Sequence, residues 1–141
     1  MIENIIVTKL DQIEVDGGNV MHAMKSTDPG FINFGEAYFS KIGYNKIKAW
    51  KRHKKMTLNL VVPYGKIEFV FIENIKEHPH RILTITLGQD NYQRITVPPY
   101  IWMGFKGLDK DSFLLNISDI PHDPNEVERL ELEEINYSWN T

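Results

Sequence analysis

The sequence of 141 residues contains no cysteine, which excludes a disulfide scaffold, a thiolate zinc site and a cysteine nucleophile. No stretch approaches the ~20 apolar residues of a membrane-spanning helix. The opening MIENIIVTKLDQIEV carries an acid at position 3 and no long apolar run, so no secretory leader is expected. An excess of positive charge is also missing. A formal net charge of -3 and a pI of about 5.9 argue against broad, charge-driven binding to nucleic acid. Internal repeats and low-complexity linkers are absent. The one helical signal is a turn over 124–132, where Asp123 could cap and Pro124 could take the first helical position. With 42% apolar and 25% charged residues the chain is an ordinary globular domain, long enough for its own core. The expectation is a single domain over residues 1–141, in the cytoplasm, with neither a membrane nor a nucleic acid as partner.

What is present reads as β. The runs LNLVV (58–62), IEFVFI (67–72), ILTITL (82–87) and FLLNI (113–117) are short and rich in β-branched and aromatic residues. Turn chemistry separates them: Pro63-Tyr64-Gly65, then ENIKEHPH, then Gly88-Gln89-Asp90-Asn91, then Gly107-Leu108-Asp109-Lys110-Asp111. Strands at this spacing predict an all-β sandwich or barrel.

One segment stands out against the acidic background. KAWKRHKKM (48–56) has six basic residues in nine. A nucleic-acid footprint, a metal-ligand strand and a sugar-nucleotide pocket are three possible answers. So is a solvated edge strand whose charges deter aggregation. If 47–53 is a regular strand, Ile47, Ala49, Lys51 and His53 share one side and Lys48, Trp50 and Arg52 the other. In a barrel that alternation would set Lys51 and His53 on the lumen. The acidic run 126–134 reads as a solvated face, and Tyr38, Tyr64, Trp50 and Trp102 as core or rim aromatics that could also stack on a ring.

Four stretches in order, FINFGEAYFSKIGYNKIKAWKRHKKMTLNLVVPYGKIEFVFIEN, ITVPPYIWMGFKGL, LLNISDIPHDPNEVERLELEE and INYSW, resemble the dTDP-4-dehydrorhamnose 3,5-epimerase family and its shorter relatives, the dTDP-sugar 3,4-ketoisomerases. The resemblance runs from about residue 17 to the end of the sequence. It implies a cupin-type antiparallel jelly-roll β-barrel, a nucleotide-linked keto sugar as ligand and a homodimer. Phe34-Gly35-Glu36 resembles the Phe-x-Glu element that holds the nucleotide base, often across a dimer, which makes Phe34 and Glu36 candidate binding residues. Gly65 and the strand after it resemble the family's glycine turn. VPPYIWMGF resembles the Pro-Pro-Gly-x-x-His-Gly-Phe segment, and Asn116, His122-Asp123-Pro124 and Glu128-Arg129 resemble the segment carrying the family's acid tyrosine.

The departures are as informative. Lys48 and Lys51 stand where the epimerases have the arginine and base histidine of Arg-Gly-x-His, while His53 retains the second histidine of the ketoisomerases. Met103 replaces the histidine after the proline pair, Tyr100 its glycine, and Leu58 a barrel lysine; the acid tyrosine falls near His122. The aspartate that orients the epimerase base has no counterpart before the sequence ends. Of the cupin metal ligands only His53 remains, so neither a metal nor another cofactor is expected; His78-Pro79-His80 is assigned to a turn. Proton transfer beside a sugar carbonyl needs a base and an acid. Lys51, with its pKa lowered, or His53 would be the base; Tyr38, Tyr100 and His122 are candidate acids, and Lys48 and Tyr100 candidate ligand contacts. A non-catalytic cupin that binds a nucleotide sugar, or serves as a partner subunit, is the alternative.

Overall fold

The computed structural model describes residues 2, 4–76 and 80–139. The expected runs form β6 (Leu58–Tyr64), β7 (Lys66–Glu73), β8 (Arg81–Gly88) and β11 (Asp111–Ser118). Around them lie β1 (Ile6–Lys9), the hairpin β2 (Gln12–Val15) and β3 (Gly18–Met21), β4 (Glu36–Gly43), β5 (Ile47–His53), β9 (Gln93–Val97), β10 (Trp102–Gly107) and β12 (Val127–Arg129). All pairings are antiparallel. One five-stranded sheet runs β1-β9-β6-β11-β4, the other β12-β5-β10-β7-β8, and β2-β3 stands apart. This is the all-β jelly roll that the sequence led us to expect.

The two sheets close over one apolar core. Leu58, Leu60 and Val62 of β6 face Ile67, Phe69 and Phe71 of β7 and Met103 of β10, with Phe69 and Phe105 ring centroids 5.6 Å apart. The alternate residues of β7 also lie buried. Val70 and Ile72 pack outside the second sheet with Trp50, Trp102 and Ile135, under a cover of Tyr137 and Trp139. A strand covered on both faces has no polar side to show, which is why IEFVFI is apolar nearly without interruption. Each such side chain taken fully out of water contributes roughly 1.5–3 kcal/mol. Gly65 turns β6 into β7 at φ +82°, where an added Cβ would run into Ser112 and the Asp111 carbonyl.

The helical turn expected over 124–132 does not form. Val127, Glu128 and Arg129 instead pair with His53, Arg52 and Lys51 of β5, and only Leu132–Glu134 adopts a short 3₁₀ turn. An edge strand satisfies backbone groups against β5 that an isolated turn would leave to water.

Candidate functional site

The basic segment forms β5, but its faces are not those of a regular strand. Phe105 pairs with Lys48 and Gly104 with Ala49, whereas the next residue of β10, Met103, pairs with Lys51. Trp50 is therefore an extra residue in the β5 ladder, a β-bulge. It shifts the alternation, so that Lys48 joins Lys51 and His53 on the lumenal side. Ala49 and Trp50 pack instead with the outer cluster, and Arg52 lies 4.8 Å from the Trp102 ring and 2.9 Å from Glu128. This corrects the expectation that Ile47 and Ala49 share a face with Lys51 and that Lys48 shares one with Trp50. The cause is steric. Trp50, 2% exposed, is held outside by edge contact with Tyr137 at 6.1 Å, by Trp139 at 5.5 Å and by its Nε1–H, which donates to the Leu132 carbonyl at 3.2 Å. Gly104 opposite leaves the room: a Cβ there would lie 2.6 Å from the Ala49 Cβ.

The bulge opens onto a cavity of about 460 Å³ between the sheets. Lys48 and Lys51 enter it from β5, Arg129 from β12, Tyr38 from β4, Asn116 from β11, with Met103 and Leu114 as apolar wall. Three cations thus converge, and among the described residues Glu131 is the one acid on the lining. Among the described residues Lys51 has no carboxylate within salt-bridge distance. Burial pushes its pKa below the usual lysine range; Arg129 and Lys48 add to the shift and Glu126 opposes it. Tyr38 Oη accepts a hydrogen bond from Asn116 Nδ2 at 2.9 Å. Burial raises the pKa of its phenol against that hydrogen bond, so Tyr38 keeps its proton and can donate it.

His53 lies one alternation step beyond Lys51 on the same face and is 7% exposed. Its Nδ1 bonds Oε1 of Glu126. The other oxygen of Glu126 accepts the backbone N–H groups of Lys54, Lys55 and Met56 at 3.1, 3.0 and 3.2 Å. Burial would raise the pKa of Glu126, but the hydrogen bonds from His53 and the backbone outweigh it and hold the carboxyl below its usual range. Burial lowers the pKa of His53, the bond to Glu126 opposes this, and Lys51 and Arg129 lower it further. The acidic run is therefore not simply a solvated face: Glu126 is 2% exposed and Glu128 pairs with Arg52.

His53 and Glu126 lie next to this cavity and are not among the residues that line it, and the other residues singled out in the sequence lie outside the lining as well. Tyr100 occupies its turn at φ +69°, 57% exposed, with the Arg52 guanidinium 5.6 Å from its ring on the outer side. His122 is exposed on the loop before β12, and Phe34 is exposed in the segment leading into β4. Glu36 opens β4, half-buried, beside Ser118. His78 and Pro79 lie outside the described residues. Two contributors were missed by sequence reasoning. Arg129 and Glu126 follow a Pro124-Asn125 turn, and Val127 and Arg129 stand two apart as in a strand, a signal masked by the surrounding acids. A second depression of about 480 Å³, between Tyr64, Lys66, Asp90 and Asp109, contains none of these groups.

Comparison with known proteins gives the following. A structure of a dTDP-sugar isomerase from Desulfovibrio desulfuricans G20 superposes with a TM-score of 0.90 at 38% identity, over 97% of this chain and 91% of that one. A curated relative, a probable low-salt glycan biosynthesis epimerase of Haloferax volcanii, is 30% identical over 84 residues. That match covers 57% of this chain and 54% of the relative, about half of its length. The sugar 3,4-ketoisomerase QdtA of Thermoanaerobacterium thermosaccharolyticum, solved with TDP, matches over 96% of both chains with a TM-score of 0.77. At 17% identity it speaks to the fold alone. No protein-family model matches the sequence.

Proposed function

We propose that this chain, which belongs to the dTDP-4-dehydrorhamnose 3,5-epimerase and dTDP-sugar isomerase family, moves a proton next to the carbonyl of a dTDP-linked keto sugar in the synthesis of a glycan or deoxysugar. The observation that carries this reading is the convergence of Lys48, Lys51 and Arg129 with Tyr38 on one cavity. Three cations suit a diphosphate, and they also favour the enolate that forms when the α-carbon loses its proton. His53 or Lys51 takes that proton, and Tyr38, kept protonated, returns one to the neighbouring carbon or oxygen. An epimerase returns the proton to the same carbon from the other side; a ketoisomerase delivers it so that the carbonyl moves. In the ketoisomerase the hydroxyl proton of the carbon that becomes the carbonyl also passes to the former carbonyl oxygen. In both reactions exchange with solvent returns the base and Tyr38 to their starting forms, with no net redox change.

The test is incubation with a dTDP-4-keto-6-deoxy sugar in D₂O. Deuterium at a carbon next to the carbonyl supports the reading. Tight binding of the nucleotide sugar without any exchange would reduce the protein to a binding cupin. We further propose a cytoplasmic homodimer. Phe34 and Phe39, 61% and 66% exposed, flank the start of β4, which is an edge strand, and such large apolar side chains beside open backbone groups suit a second copy. In that arrangement Phe34 and Glu36 of one copy would approach the base of a nucleotide held by the other. Light scattering that returns a monomer at micromolar concentration would remove the dimer.

A further inference from the structure

Lys51 and His53 share the lumenal face, yet the fold equips them differently. Among the described residues Lys51 has no fixed acceptor. His53 is fixed at one nitrogen by Glu126, which is itself locked by the three successive amides that follow His53 in the chain. An ionised carboxylate only accepts hydrogen bonds, so the ring nitrogen facing it, Nδ1, must carry the proton. In the neutral ring the other nitrogen, Nε2, is then a bare lone pair. That atom is buried and bonded to nothing among the described residues. The opposite tautomer would aim two acceptors at each other across the Glu126 contact and bury an N–H with no partner.

From this geometry we propose that Glu126 is the positioning residue that makes His53, rather than Lys51, the base of the proton transfer, by holding it in the Nδ1–H form with Nε2 free. The inference rests on the proton-transfer reading of the cavity. When Nε2 takes the proton, the imidazolium formed is neutralised across the same hydrogen bond, so the charge stays local. Lys51 and Arg129, the cations closest in effect to His53, are left to hold the anionic ligand and the developing enolate. Glu126 lies on the connection into β12, which pairs with β5 through His53, Arg52 and Lys51. One short strand thereby fixes both the base and, through Arg129, part of the anion site.

Glu126→Gln separates this role from a structural one. In the variant the three backbone N–H groups select the amide oxygen, which directs the amide NH₂ at Nδ1. His53 would then accept at Nδ1 and carry its proton at Nε2, the wrong form for a base. The experiment is ¹⁵N-histidine NMR at about pH 8, where the ring is neutral, with the His53 signals assigned from their loss in His53→Gln. The wild-type protein should show the Nδ1–H tautomer and Glu126→Gln the Nε2–H tautomer. Deuterium exchange into the keto sugar should fall at least ~100-fold in kcat in Glu126→Gln, with KM changed by less than about 3-fold. An Nε2–H tautomer in the wild-type protein overturns the proposal whether or not the variant folds. Retained kcat in a folded Glu126→Gln overturns it too and leaves the proton-transfer reading intact. An Nδ1–H wild-type ring with no exchange on any keto sugar overturns the proton-transfer reading, and with it the positioning role of Glu126.

Discussion

Adding one methyl group at Gly104 tests how the bulge is made. An alanine there would place its Cβ 2.6 Å from the Ala49 Cβ and 3.0 Å from Cε3 and Cζ3 of Trp50, where carbon contacts settle at about 3.5–4.0 Å. Neither obstacle can step aside. The Ala49 Cβ is fixed to the strand, and the Trp50 ring is clamped by Tyr137, Trp139 and its bond to Leu132. The β5–β10 ladder must therefore open, and overpacking of this kind costs about 1–3 kcal/mol. For a chain of this size each kcal/mol lowers Tm by about 2–4 °C, so Gly104→Ala should melt roughly 2–12 °C below the wild type by calorimetry. Because Lys48 and Lys51 flank the displaced residues, affinity for a nucleotide diphosphate should fall with it. Gly43→Ala is the control: its Cβ would find nothing nearer than Lys46 Cγ at 3.5 Å, and the change should stay within about 0.5 kcal/mol. If Gly104→Ala melts within about 1 °C of the wild type, the steric account of the bulge is wrong.

Three further outcomes are expected. Lys51→Met should raise stability by roughly 0.5–2 kcal/mol, since it removes a half-buried charge without a salt bridge; it should also weaken nucleotide-diphosphate binding by about 10- to 150-fold, the equivalent of one charged hydrogen bond, and calorimetry reads both effects. His53 and Glu126 both have pKa values lowered by folding, from 6.5 and 4.5. The unfolded chain then binds more protons in each window, so stability is complete above about pH 6.5 and falls on acidification, first through His53 and then, below 4.5, through Glu126; urea midpoints that stay flat from pH 7 to pH 4 would contradict this. Tyr38→Phe should lower the rate of solvent exchange by about 100-fold with under about 1 kcal/mol of stability lost, since the removed hydroxyl accepts only from Asn116 and belongs to a side chain that is 41% exposed.

The fold was readable because strands buried on both faces, such as β6 and β7, leave continuous apolar runs, and because glycine and proline turns punctuate them. The faces of β5 were not. Alternation places Lys48 opposite Lys51 unless a residue is added to the ladder, and whether Trp50 is that residue depends on Gly104, Tyr137 and Trp139, all more than 50 positions away. Lys51 and His53 were legible as neighbours on one face because no bulge falls between them. Glu126 was not legible as a buried acid. It heads a run of glutamates that resembles solvated surface, and only the pairing of β12 with β5 brings it to His53 and to the amides of residues 54–56. Tyr100 and His122 match the family's motif by position alone, and neither lines the cavity.

The chain has three tryptophans, and all of them lie outside the second sheet: Trp50 and Trp102 within the outer cluster and Trp139 packed over it. Intrinsic fluorescence excited at the indole band therefore views the molecule from one side. Its emission reports whether residues 130–139 are seated on β5 and β10. The lumen core of Phe69 and Phe71 and the sheet β1-β9-β6-β11-β4 contribute no indole. A red shift that precedes the loss of the far-ultraviolet circular dichroism signal would thus time the departure of this C-terminal cover separately from the opening of the barrel.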